Sequence, residues 1–169
     1  MKIDFLKQRY DFELSRREQL TAALALPVGV LGGLGSLIAL MARSFVYQHD
    51  LLSKMFLPLL VLDISAFFAC LTYLALAYHR QTYIYLPLLK ELQEWEDAFV
   101  GLYSYDAAMG KAEEAFDRHI GERIIEAADQ NTRNNDKRSR LLYWSRISLF
   151  VVLGLTALTG VPFVLNKVR

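Results

Sequence analysis

One acid stands where acids are rare. Asp63 lies in LLVLDISAFF, and no other charged residue falls between Met55 and Tyr78. A carboxylate inside an apolar span costs on the order of several kcal/mol unless it is paired, neutral or wetted. Counting antiparallel through the short connection before this run sets Asp63 level with Leu34, close to Ser36 and the neighbouring glycines. Thr156 and Thr159, in a later apolar run, fall at a similar depth. Two chemistries fit this group. Asp63, Ser36, Thr156 and Thr159 could form the polar lining of an ion or proton path. Alternatively, a neutral or hydroxyl-bonded acid locks helices together.

A second constellation is Asn131, Arg133, Asn134, Asn135, Asp136, Lys137, Arg138 and Arg140. Asn131, Asn134 and Arg138 continue a stripe that begins apolar with Phe116, Ile120, Ile124 and Ala127. A buried asparagine in a helical seam costs stability but fixes register and subunit number. The basic members suit a juxtamembrane turn, anionic headgroups or a phosphate-bearing ligand equally well. With Trp95, the residues Asn131, Asn134 and Arg138 make up a candidate trigger or partner surface for a regulatory protein or a nucleotide.

Other chemistries find little support. Glu91, Glu94, Glu96 and Asp97 lack the spacing of a metal site and read as a solvated helix face. His49, His79 and His119 are scattered, and Cys70 is the lone cysteine, so a zinc site is not expected. There is no glycine-rich phosphate loop and no serine nucleophile elbow. The expectation is a protein that is not an enzyme, with no catalytic residue, no cofactor and no metal. Nineteen basic against 18 acidic side chains give a net charge of +1, which argues against DNA as a partner.

The elements that must position these residues follow from where the apolar residues sit. The 169-residue chain is 54% hydrophobic and 22% charged, and its mean hydropathy is +0.22. Those values coexist when the apolar residues come in blocks. The first block, residues 20–42, holds no charge, and about 20 apolar residues cross a bilayer core as a helix. Gly29 and Gly33 sit four apart, as do Gly32 and Ser36, so small residues gather on one face that a second helix can approach closely. Gly29, Gly32 and Gly33 then pack either on the chain's own helices or at a contact between subunits or around a pore.

The domain reading is as follows. Residues 1–19 form an amphipathic helix, with Ile3, Leu6, Tyr10 and Leu14 on one stripe and ion pairs among its alternating charges. It runs into the first span without a break, and Pro27 kinks that span. Nineteen mostly polar residues before the apolar run do not read as a cleavable signal peptide. Residues 20–79 form a transmembrane hairpin with spans 20–42 and 55–78. Pro58 sits in the first turn of the second span, and Tyr47 and His49 lie at the membrane boundary. Tyr78, Tyr83 and Tyr85 read as an aromatic belt, with Arg80 on the water side. Residues 80–142 form a helical hairpin. Its first helix, which could continue the second span, carries Leu88, Leu92, Trp95 and Phe99 at helical spacing, and its likeliest break is Gly101–Gly110. Residues 143–169 hold the third span, about Ile147 to Leu165. Basic residues near the spans favour a cytoplasmic N-terminus and a cytoplasmic hairpin.

The chain resembles the small multi-helix membrane effectors of bacterial anti-phage defence, of the retron-associated or SLATT type. The residues that carry the likeness are YDFELSRREQLTAALALPVGVLGG, YIYLPLLKELQEW and AADQNTRNNDKRSRLL. A third span departs from the simple two-span pattern. The resemblance implies a multi-pass inner-membrane homo-oligomer, silenced by a partner, that permeabilises or depolarises the bilayer when triggered. The competing expectation is a non-conducting anchor that docks a soluble partner. In fold class the chain is expected to be an all-α integral membrane protein with three transmembrane helices, two of them extending into the cytoplasmic hairpin.

Overall fold

The computed structural model describes residues 3–48, 50–79, 82–87, 89–102 and 109–168. Five helices follow in order: α1 Ile3–Ala22, α2 Ala25–Ser44, α3 Leu51–Tyr78, α4 Leu89–Leu102 and α5 Met109–Val168. No strand occurs among the described residues. Three helical stretches are long and apolar enough to cross a bilayer: Ile3–Ser44, Leu51–Tyr78 and Gly110–Val168. The fold is all-helical, as the blocks of apolar residues dictate. His49, Arg80, Leu88 and residues 103–108 lie outside the described residues.

Three boundaries differ from the sequence reading. The first helix does not run unbroken into the first span. A turn at Ala23–Leu24 separates α1 from α2, because Pro27 has no N–H to offer the carbonyl four residues back. Leu24 keeps helical dihedrals, so the interruption is brief. Pro58 is not in a first turn: α3 begins at Leu51, where Asp50 caps it by accepting from the Ser53 amide at 2.9 Å. Pro58 therefore sits inside the helix. The second span also does not continue as one long helix. α3 stops at Tyr78, residues 82–87 are non-helical, and Pro87 holds Leu86 away from the helical region.

The chain divides into two compact units. The first takes Met1–Glu18 with Gln81–Asp136. Its core is Leu6, Tyr10, Ile124, Ala127 and Ala128, with Ile3, Leu14, Leu86 and Ile120 packed around it. Trp95 and Phe99 of α4 lie edge-on or tilted against His119 at 5.0 and 5.8 Å, and Phe99 meets Phe116 at 6.1 Å. The apolar stripe of α4 is thus turned onto α5 within the same unit.

The second unit takes Gln19–Arg80 with Lys137–Arg169. Its buried positions recur three, four or seven residues apart: Pro27, Leu31, Leu34, Ile38 and Met41 on α2, and Phe56, Leu60, Asp63, Cys70, Leu74 and Ala77 on α3. That is the spacing of a helical seam. The outward faces are apolar too. Leu26, Leu40, Val61, Phe68, Phe150 and Leu158 are all more than half exposed. A water-facing bundle reverses this pattern, whereas a bilayer accepts it.

Candidate functional site

Asp63 belongs to the buried stripe of α3, which is why its side chain is wholly enclosed. The Thr156 hydroxyl of α5 donates to Asp63 Oδ1 at 3.0 Å. Asp63 Oδ2 has no hydrogen-bond partner among the described residues. Thr159, one helical turn beyond Thr156, is also fully enclosed, and its hydroxyl has no such partner either. An unmatched buried polar atom costs about 1–3 kcal/mol. The core of this unit therefore contains a carboxyl oxygen and a hydroxyl that no described residue satisfies.

Ser36 is not brought into this cluster. It lies on an exposed face of α2, and its hydroxyl donates back to the Gly32 carbonyl at 2.9 Å. Gly29, Gly32 and Gly33 share that outward side. A Cβ built on any of the three meets nothing within 4 Å. The glycines thus do not seat the chain's own helices. Gly35 differs: its Cβ would come within 3.1 Å of the Phe67 ring. Gly32, Gly35, Ser36, Phe67, Leu71 and Tyr78 are among the residues lining an open groove of about 720 Å³ between α2 and α3.

A second polar layer joins Cys70 and Ser145. The buried thiol lies 3.3 Å from the Ser145 carbonyl and donates to it. At the end of α3, Arg138 is almost fully buried. Its Nε donates to the Ala77 carbonyl at 3.1 Å and its Nη2 to the Thr21 hydroxyl at 3.1 Å. The last carbonyls of a helix lack partners and carry the negative end of its dipole, so a guanidinium there is favoured. Arg138 is a helix cap, and its head group is engaged rather than displayed.

In the first unit the asparagines perform a different task. Asn131 is fully buried, and its amide faces the backbone of Ile84. Its Oδ1 accepts from the Ile84 N–H at 3.0 Å and its Nδ2 donates to the Ile84 carbonyl at 3.0 Å. Asn134 donates to the Thr82 carbonyl at 2.7 Å, and the Tyr10 hydroxyl accepts from the Leu86 N–H at 3.1 Å. The Tyr83 hydroxyl donates to Asn135 Oδ1 at 2.7 Å. Backbone groups of Thr82, Ile84 and Leu86 are alternate residues, so they lie along one edge of an extended chain. Side-chain amides of α5 and the Tyr10 phenol pair with that edge as a neighbouring strand would.

The candidate partner surface is corrected accordingly. Asn131 is enclosed, Asn134 is half-buried and bonded, Arg138 is a cap, and Trp95 packs on His119. The belt reading changes too. Tyr85 accepts from Arg17, and the Arg17 guanidinium stands 4.8 Å from the Tyr83 ring.

Sequence reasoning read Glu13 only as one of the alternating charges available for local ion pairs, which it forms with Arg9 and Arg16. It is fully buried. Asn135 Nδ2 donates to the Glu13 carbonyl at 2.8 Å and to its Oε2 at 3.0 Å. Arg9 stands 3.1 Å from Oε1, in ion-pair reach but not aligned as a hydrogen bond. Arg16 lies 3.5 Å from Oε2 and pairs with Asp136 at 2.6 Å. The missed signal was spacing: Leu6, Tyr10 and Glu13 follow the same three-four rhythm as the core. No family model matches this chain, and no curated protein and no solved structure matches it.

Proposed function

We propose that this chain is a membrane effector that oligomerises and, when triggered, permeabilises or depolarises a bacterial inner membrane, in the manner of anti-phage defence effectors. One observation carries the reading. A wholly enclosed carboxylate sits in the core of membrane-length helices with only one of its oxygens matched. Acids at such depth mark ion or proton routes more often than packing sites. Enclosed as it is, Asp63 conducts nothing, so this arrangement is the silent state. A rearrangement that gives Oδ2 water or a cation would relieve the unmatched atom and open a polar route. The outward glycine face of α2 supports association between copies, because close helix approach is what small residues permit in lipid.

In this reading the N-terminus and the α4–α5 hairpin are cytoplasmic. Lys7, Arg9, Arg16, Arg17, Arg133, Lys137 and Arg140 fall on one side of the spans, against Arg43, Lys54 and Lys167 on the other. The test is induced expression in cells loaded with a voltage-sensitive dye. Depolarisation by the parent, and its loss in Asp63→Asn, is the expected result. A parent that leaves the potential unchanged under every inducing condition, phage infection included, refutes it.

A second reading is a non-conducting anchor. It draws on a cleft of about 470 Å³ in the first unit, lined by Ile3, Lys7, Leu92, Glu96, Phe116 and Arg123 among others. Its mixed apolar and charged wall suits a protein segment better than an ion. Stoichiometric co-purification of a soluble protein, lost on Phe116→Glu and without any conductance, would favour it.

A further inference from the structure

The layer around Asp63 holds more oxygen atoms than the described residues pair. Asp63 Oδ2 and the Thr159 hydroxyl are both fully enclosed, and neither has a hydrogen-bond partner among those residues. Thr159 stands three residues after Thr156, so the two threonines are neighbours on one face of α5. Thr156 already reaches Asp63 Oδ1 at 3.0 Å. A further oxygen lies in the same turn. Pro162 sits inside α5 and has no N–H, so the carbonyl of Leu158, the residue before Thr159, loses its helical donor. We propose that Asp63 Oδ2, the Thr159 hydroxyl and the Leu158 carbonyl form a binding site for one dehydrated monovalent cation of sodium's size, with the Thr156 hydroxyl orienting the carboxylate. This inference rests on the reading of Asp63 as the polar core of a permeabilising effector, and it names the ion which that core takes.

Charge sets the valence. No basic side chain forms an ion pair with Asp63 among the described residues. A carboxylate this deep in an apolar span needs a compensating charge, and one carboxylate balances one. A divalent ion would leave a surplus charge in the core, and calcium and magnesium take roughly six or more oxygens. No three His, Cys, Asp or Glu side chains gather among the described residues, which argues against a transition metal. Carboxylate, hydroxyl and carbonyl are hard donors that suit a hard cation. Carbonyls released where a membrane helix is interrupted are a recurrent source of sodium ligands.

Side-chain conformation separates a metal cation from a proton. Ser36, Ser65 and Thr72 each donate to the carbonyl one turn back on their own helix. Thr159 does not. A proton on Oδ2 would need only one acceptor, and it would leave the Thr159 hydroxyl free to bond back along α5 as the others do. A hydroxyl held off its own helix keeps its lone pairs for a ligand in the core.

The test uses the full chain in detergent micelles, unfolded with SDS in sodium chloride or in choline chloride at equal ionic strength. The SDS midpoint of the parent should rise with sodium and saturate, while choline leaves it unmoved. Asp63→Asn should abolish the rise. Thr159→Val keeps the shape of its side chain, which guards against a failure of Asp63→Asn to fold, and should raise the half-saturating sodium concentration at least about tenfold. Broadening of the sodium NMR line by the parent, and its loss in Asp63→Asn, reads the same binding directly. A midpoint that rises as pH falls and ignores sodium makes the ligand a proton and overturns the proposal. An equal sodium response in the parent and Thr159→Val marks a general salt effect and overturns it too. Sodium binding by a parent that never depolarises cells fells the function and leaves the site. Depolarisation by a parent that binds no sodium fells the site and leaves the function.

Discussion

The layer around Asp63 makes a prediction about stability that can be worked from its contacts. Thr156→Val keeps the shape of the side chain and removes the hydroxyl that donates to Asp63 Oδ1. Both oxygens of a fully enclosed carboxyl are then without partners. In a water-soluble core this would cost about 1–3 kcal/mol. Among membrane helices the unfolded reference also finds partners, which lowers the figure to about 0.6–1.7 kcal/mol. Asp63→Leu acts in the opposite direction. It removes the unmatched Oδ2 and keeps the branching of the side chain, and the freed Thr156 hydroxyl can donate to a carbonyl one turn back on α5, as Ser65 and Thr72 do on α3. Asp63→Leu should therefore equal or exceed the parent in stability, by up to about 2 kcal/mol. The assay is reversible unfolding in mixed micelles titrated with SDS, followed by circular dichroism. A double-mutant cycle isolates the pair: Thr156→Val should cost about 1 kcal/mol in the parent and almost nothing in the Asp63→Leu background. An equal cost in both backgrounds, or an Asp63→Leu variant less stable than the parent by more than about 1 kcal/mol, would refute the claim that this carboxyl is tolerated at a cost. A residue that lowers stability and yet occupies the core is expected where function demands it.

Four further outcomes follow from named contacts. Arg138→Met strips the Ala77 carbonyl and the Thr21 hydroxyl of a buried cationic donor, and should lower unfolding stability by about 1–3 kcal/mol, read in the same SDS titration. Gly32→Leu adds a side chain whose Cβ meets no described residue within 4 Å, so it should leave the monomer's melting unchanged while reducing cross-linked oligomer. Gly35→Ala instead presses on Phe67 and should cost the monomer about 1 kcal/mol in thermal unfolding. Tyr10→Phe removes the acceptor for the Leu86 amide, and exchange at Leu86 should quicken about tenfold while Ile84, held by Asn131, keeps its protection.

Much of the architecture is written along the chain, because lipid leaves few choices. An uncharged run such as residues 20–42 must be a helix if it enters a bilayer, since every backbone group has to find its partner within the run. Helix type and the three apolar stretches follow from such local rules. So does the approximate depth match of Asp63 with Thr156, because antiparallel counting from a short loop fixes register along the axis. Counting could not fix rotation about it. Ser36 shares the depth assigned to Asp63 but points outward, and Gly29, Gly32 and Gly33 point with it.

The role of each polar residue was a tertiary decision. Asn131, Asn134 and Arg138 stand on one stripe by periodicity, yet a stripe does not say what faces it. An extended chain met the asparagines and a helix end met the arginine, so a surface suited by composition to a partner became a clamp and a cap. Glu13 shows the same limit: Arg9, Asp11, Arg16 and Arg17 lie near it in sequence and make it look solvated, and only the approach of Asn135 encloses it. Sequence sets which residues can lie on a helix face, because the helical repeat is local and rigid. Which groups come opposite that face depends on how distant segments dock, and no local repeat encodes that.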